Sequence, residues 1–201
     1  MEEKLYETDL VNASSGETSP EKHKTGIWRF LLDVLETVVL SVVLFATINA
    51  ISARIRVDGF SMEPTLHNGE FVIVNKMAYR FGALNYGDVI VFHYPRDPEQ
   101  EYIKRIIGLA GDKVRVSDGQ VFVNDLLIAE PYIASAPRYQ SDWIVPDASL
   151  FVLGDNRNNS SDSHNWGAVP IENVVGKALF VYWPPNDWGV IEHPVVVSAA
   201  E

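Results

Sequence analysis

Residues 27–55 are apolar with few interruptions, and between positions 38 and 48 only Ser41 and Thr47 break the run. About 20 apolar residues at about 1.5 Å rise per residue cross the hydrocarbon of a bilayer, and residues 35–55 meet that length. Trp28 and Arg29 stand where interfacial anchors belong. The run predicts one transmembrane helix over residues 27–55, so every soluble element must be built from residues C-terminal to it. Two other readings compete. A cleaved leader would begin near the terminus with a short basic region, whereas this segment comes after 26 largely polar residues. A buried core helix is the second, because β-branched residues, Asp33 and Glu36 make the segment less lipid-like than a leucine run. Lys22, Lys24 and Arg29 lie on one side of the span and Arg54 and Arg56 on the other; the positive-inside bias favours an internal N-terminus.

Residues 1–26 are rich in Glu, Ser, Thr and Lys, a composition that buries too little surface to offset the entropy of ordering, so a disordered tail is expected there. Residues 56–201 read differently, as short β-branched and aromatic runs separated by Asn-Gly, Gly-Asp and Asp-Gly turns. Phe71 to Val74, Val89 to Phe92, Leu150 to Leu153 and Lys177 to Trp183 are such runs. The segment Ser117-Asp118-Gly119-Gln120, between Lys113-Val114-Arg115-Val116 and Val121-Phe122-Val123, predicts a hairpin. The expected fold is mainly β: an antiparallel β-domain over residues 56–201 behind one membrane helix.

Charge and composition narrow the function. A net charge of -11 leaves no cationic stripe for phosphates, so no nucleic-acid partner is expected. With no cysteine in the chain, a thiolate nucleophile, a disulfide framework and a cysteine-ligated metal are excluded. His67, His93, His164 and His193 show no spacing of a metal pair, and neither metal nor cofactor is expected.

Three stretches carry chemistry. In Val57-Asp58-Gly59-Phe60-Ser61-Met62-Glu63-Pro64-Thr65-Leu66, a serine sits between a glycine and a proline that restrict the backbone to a bend. Such a hydroxyl is a weak nucleophile until a base takes its proton; a plain turn is the alternative. In Glu101-Tyr102-Ile103-Lys104-Arg105-Ile106-Ile107, strand alternation puts the two cations on opposite faces, so one must point inward or find a partner. An inward lysine has a lowered pKa, and its neutral amine accepts a hydroxyl proton. The competing arrangement leaves Lys104 in solvent and packs Arg105 against a carboxylate. Residues 154–167, Gly-Asp-Asn-Arg-Asn-Asn-Ser-Ser-Asp-Ser-His-Asn-Trp-Gly, can build a loop bonded to its own backbone, or a bland surface loop. An EF-hand is excluded by Arg157 at a ligand position.

Taken in order, Ser61-Met62-Glu63-Pro64-Thr65-Leu66, Gly87-Asp88-Val89-Ile90-Val91-Phe92, Tyr102-Ile103-Lys104-Arg105-Ile106-Ile107-Gly108 through Asp112, and Gly154-Asp155-Asn156-Arg157 through Trp166-Gly167 resemble successive boxes of the type I signal peptidases, or leader peptidases. The resemblance implies a membrane-bound serine endopeptidase that removes N-terminal signal peptides from exported proteins, cutting after small residues in an Ala-X-Ala pattern. It carries Ser61 over as nucleophile and Lys104 as general base. Ser160 matches a serine that orients the amine, Asp155 and Arg105 match a supporting salt bridge, and Met62 matches a residue packed beside the nucleophile. Gly59 stands where some members have an oxyanion-hole serine, and His164 where many have an arginine, which leaves the partner of Asp162 open. Phe60, Met62, Tyr102 and Ile103 are expected to line the substrate pocket beside an exposed strand edge. The partners implied are signal peptides of preproteins and the lipid bilayer, with a single-pass anchor and an extracytoplasmic catalytic domain. Ser61 lies seven residues past Arg54, so it stays within roughly 25 Å of the bilayer surface. Self-cleaving repressors share such a dyad by resemblance but need a DNA-binding domain; a membrane-tethered binding domain that cuts nothing is the alternative from another class.

Overall fold

The structure, a computed structural model, describes residues 25–194. The tail expected over residues 1–26 falls outside these, except for residues 25 and 26, which already belong to the first helix. Helix α1 covers Thr25–Ile51, 27 residues and so about 40 Å long, enough to cross a bilayer with some tilt. Its large side chains are exposed, among them Leu40 and Phe45, as they would not be in a core helix. Thr37 and Ser41 turn their hydroxyls back onto the carbonyls of Asp33 and Thr37, at 2.8 and 2.7 Å, which satisfies them inside an apolar surrounding.

The helix stops at Ile51, four residues before the expected end, because the next residues have a better backbone partner. Strand β1 (Ser52–Arg56) pairs antiparallel with β2 (Phe71–Asn75), from Ser52 opposite Asn75 to Arg56 opposite Phe71. Lys76 then closes the helix end, its N–H on the Ile51 carbonyl at 3.0 Å and its Nζ on that of Asn49 at 3.3 Å, two groups that helix geometry leaves free.

Further strands succeed these in chain order. They are β3 (Val89–Tyr94), the long β4 (Asp97–Gly108), β5 (Lys113–Ser117), β6 (Gln120–Val123), β7 (Leu126–Leu127) and β8 (Ser141–Ile144). After them come β9 (Ser149–Leu153), β10 (Val169–Pro170), β11 (Val174–Trp183) and β12 (Gly189–Val190), with the short helices α2 (Ala78–Phe81) and α3 (Ser163–Trp166) in between. All of these strand pairs are antiparallel. One sheet runs in the order β1-β2-β11-β3-β4-β9-β10 with β12 beside β11, and a second in the order β7-β6-β5-β8. The expected hairpin joins β5 to β6, and positive φ at both Asp118 (53°) and Gly119 (76°) gives the turn that matches strand twist.

Alternation sorts the large sheet's side chains onto two faces. Val89 and Val91 join Val57, Met62, Leu66 and Val72 in one cluster, while Ile90 and Phe92 join Ile106, Leu150 and Val152 in another. A third cluster, with Val114, Val121 and Phe151, lies under the small sheet. Because both faces of the large sheet are covered, residues 103–108 of β4 are buried without interruption. That resolves the choice posed by Lys104 and Arg105: both are inside.

A buried ion pair that the sequence did not signal ties the loop before β8 to the loop after β9. Arg157 and Glu130 meet bidentately, Nη1 to Oε2 at 2.7 Å and Nη2 to Oε1 at 2.5 Å, with side chains 0% and 6% exposed. Arg157→Met leaves a buried carboxylate unpaired, and a loss of about 3–5 kcal/mol is expected in denaturant titration. The double variant Arg157→Met, Glu130→Gln should recover most of it; equal losses in both would show that the pair is not what the loops rest on.

Candidate active site

The loop between β1 and β2 carries Ser61. Its base is clasped by Val57 N–H on the Glu70 carbonyl (2.8 Å) and Gly69 N–H on the Val57 carbonyl (2.9 Å), and its interior is nailed down by buried Met62 and Leu66. Gly59 takes φ +99°, a conformation side chains resist, and gives its N–H to Asn68 Oδ1 at 2.9 Å. Ser61 is thus held from both ends of a rigid bend.

Lys104 reaches it from β4. Its Nζ donates to Ser61 Oγ and to the Ile103 carbonyl, each at 2.8 Å, on a residue that is 4% exposed. Burial pushes the amine down to about 8 against the upward pull of Asp162 and Asp155, so the neutral form is available near neutrality. Neighbouring Arg105 is saturated elsewhere. Its Nε and Nη2 engage Asp155 at 2.9 and 2.7 Å, Nη1 donates to the carbonyls of Gly87 and Glu192, and the guanidinium lies 4.0 Å over the Tyr132 ring.

The loop after β9 fastens the Ser61 bend from the other side. Asn156 N–H donates to the Ser61 carbonyl at 3.0 Å, Asn156 Nδ2 to the Phe60 carbonyl at 3.1 Å, and Thr65 Oγ1 to Asp155 Oδ2 at 2.5 Å. Asp162 is buried and receives Gly154 N–H on Oδ2 at 2.9 Å; its partner left open by the sequence is His164, with Nδ1 2.6 Å from Oδ1. The His164 ring stacks on Tyr139 at 4.1 Å. A hydroxyl beside an amine whose desolvation outweighs the pull of Asp162 and Asp155 makes a site suited to nucleophilic acyl transfer.

The sequence model of the family described as signal peptidase, peptidase S26, matches residues 31–183. The chain belongs to that signal peptidase family. Similar relatives include a signal peptidase I from Leptolyngbya laminosa, 42% identical over 175 residues that cover 82% of this chain and 85% of that one. Another, from Bacillus caldolyticus, is 39% identical over 143 residues, 64% of this chain and 78% of its own length. A solved signal peptidase I from Enterococcus faecalis V583 compares with a TM-score of 0.45 and 30% identity, over 47% of this chain and 96% of that one.

Within this signal peptidase, three expected placements differ from what is seen. Ser160 Oγ is buried with no hydrogen-bond partner among the described residues, and the amine it was expected to orient bonds Ser61 Oγ and its own strand's carbonyl instead. Met62 lies in the core at 1% exposure, because the loop interior needs an apolar anchor more than the cleft needs a wall. Phe60 is half exposed and outside the cleft of about 430 Å³ in which Tyr102 and Ile103 stand beside Ser61 and Lys104. Sequence reasoning misses Asn156, although side-chain amides are common clamps for loop backbone.

Gly154 opens its motif for no reason visible in the sequence, and packing supplies one. A Cβ there would sit 2.3 Å from both the Ser61 carbonyl and Ser160 Oγ, so the two loops approach only over a glycine. Gly154→Ala should therefore part Ser61 from Lys104 and lower kcat/KM on a peptide substrate by at least about 100-fold. Circular dichroism checks that the fold persists; near-normal kcat/KM would show that the approach is not required.

Proposed function

We propose that this protein is a membrane-anchored serine endopeptidase that removes signal peptides from exported proteins, with Ser61 as nucleophile and Lys104 as its base. The observation that carries the assignment of roles is the 2.8 Å contact between Ser61 Oγ and a buried amine whose pKa lies near 8. Other candidate bases are engaged elsewhere: His67 with Glu70, His164 with Asp162, and His193, pushed down to about 4 by burial, accepts Val89 N–H on Nδ1. In the proposed reaction the neutral Lys104 amine takes the Ser61 proton as Oγ attacks the scissile carbonyl. The same proton then goes to the departing amine as the C–N bond breaks, and water, activated by Lys104 in turn, releases the acyl group. Gly59 N–H is spent on Asn68, so the backbone N–H of Ser61 is assigned to the developing oxyanion.

Topology supports an extended substrate. In the sheet order β1 is terminal, and β4 pairs with β9 only from Arg105 onward, so its residues 97–104 present a free edge among the described residues. Four strand spacings would separate β1 from β4 by about 19 Å in a flat sheet, yet Ile55 and Arg56 share one cleft with Gln100 to Lys104. Twist curls the two edges toward each other, and an extended peptide laid between them finds backbone partners on both sides. A small residue such as Ala before the cut suits a site in which Ile103 and Tyr102 stand beside Ser61.

In this reading α1 is a single-pass anchor in the lipid bilayer, and the catalytic domain, taken to begin at Ser52 where pairing starts, lies on the extracytoplasmic side. Ser61→Ala and Lys104→Ala are each expected to lower kcat/KM on a preprotein by about 1,000-fold or more while the fold persists. Normal cleavage by either purified variant would remove the dyad.

The pH dependence comes from the direction of the Lys104 shift. Only the deprotonated amine accepts the Ser61 proton, and burial lowers the pKa to about 8. The first-order rate constant should climb as pH rises toward about 8 and level above it, well below the range of free lysine at about 10.4. A plateau that begins at pH 6 would point to a different base.

A further inference from the structure

The end of α1 is tied to a short segment to which the proposed reaction gives no part. Lys76 holds the carbonyls of Asn49 and Ile51, and Asn75 pairs with Ser52, so the end of β2 lies where the apolar helix leaves off. Five residues further on, within about 18 Å of that point at full extension, α2 ends in Phe81. Phe81 is 87% exposed, the most exposed large apolar side chain among the described residues. Lys76 and Arg80 are exposed beside it, and with Ala50 and Tyr79 they line a hollow of about 390 Å³ whose far wall carries one acid, Glu172. Arg54 is exposed on the neighbouring strand, opposite Ile73. In a chain of net charge -11, cations predominate where the helix emerges.

An exposed aromatic flanked by cations, next to the end of a membrane span, is the composition of an interfacial anchor: the ring sits at headgroup depth and the cations meet phosphates. We infer that residues 76–82 form a second attachment to the bilayer, with Phe81 entering the interface and Lys76 and Arg80 binding anionic lipid headgroups. This rests on the reading of α1 as a membrane span. A single helix leaves the catalytic domain free to tilt about its last turn; a second contact restricts that tilt.

The absence of cysteine makes the test direct. Full-length protein carrying one spin-labelled cysteine, Leu44→Cys, Phe81→Cys, Ile144→Cys or Val190→Cys, is placed in vesicles of zwitterionic lipid with or without phosphatidylglycerol, and collision with oxygen is compared with collision with a water-soluble nickel chelate. The Leu44 label should lie deep in lipid, the Ile144 label in water, and the Phe81 label at the interface, moving inward by a few ångströms when phosphatidylglycerol is present. Adding Lys76→Gln and Arg80→Gln should abolish that movement. A Leu44 label in water overturns the anchor and the inference together. A deep Leu44 label with an aqueous Phe81 label overturns the inference alone, as does a lipid-exposed Val190 label with Phe81 in water, since the face around β12 would then be the contact. A Phe81 label in lipid whose depth ignores phosphatidylglycerol overturns the headgroup assignment.

Discussion

The desolvated amine of Lys104 is the constraint around which the rest is arranged. An ammonium in the interior must find a counter-charge or give up its proton, and here the nearby carboxylates are already committed. Asp155 gives both oxygens to Arg105 and one also to Thr65; Asp162 receives Gly154 N–H and faces His164. Their pull on Lys104 is upward but smaller than the effect of burial. Two adjacent cations in one strand therefore end in opposite states: Arg105 fully paired, Lys104 kept next to a hydroxyl that does not neutralise it.

That arrangement has a cost in stability with a definite sign. A folded-state pKa near 8 against about 10.4 in the unfolded chain means that the unfolded chain binds more protons between those values, so stability rises with pH across that window. Below about pH 8 the cost is fully present, on the order of 3 kcal/mol. Compensation comes from side chains that never meet a substrate: the Arg105–Asp155 and Arg157–Glu130 pairs brace the loop after β9 from two directions.

What was legible in the sequence is what depends on local pattern. Period-two runs and Asp-Gly turns marked the strands, and the span of α1 was visible from length and composition, because these properties act over a few residues. Order along the chain also marked Ser61 and Lys104. Illegible were the facts that arise only when distant segments meet. Nothing near Met62 says that it will be interior, nothing near Gly154 says that Ser61 will pass over it, and Glu130 has no local sign of a guanidinium 27 positions away. The end of α1 belongs to the same class: Ser52 to Arg56 pair with β2, which decides against helix, and that depends on a strand some twenty residues downstream. Nor does the local sequence show that the Lys104 amine will bond the Ile103 carbonyl of its own strand as well as Ser61.

The two sheet edges connect this packing to selectivity. An edge strand is ordinarily a hazard, an unpaired row of N–H and C=O groups that invites association with any extended chain. Residues of the two open edges, β1 and the first part of β4, line one cleft, and in the proposed reading a single extended strand lies there. In the proposed reading the hydroxyl and amine lie at the end of that cleft where β4 turns from free edge to paired interior, between Lys104 and Arg105. A peptide that pairs along residues 97–104 runs out of edge at the point where the nucleophile stands. Register is then set by topology, and the side chain beside Ser61 is set by the space that Ile103 and the clasped loop leave.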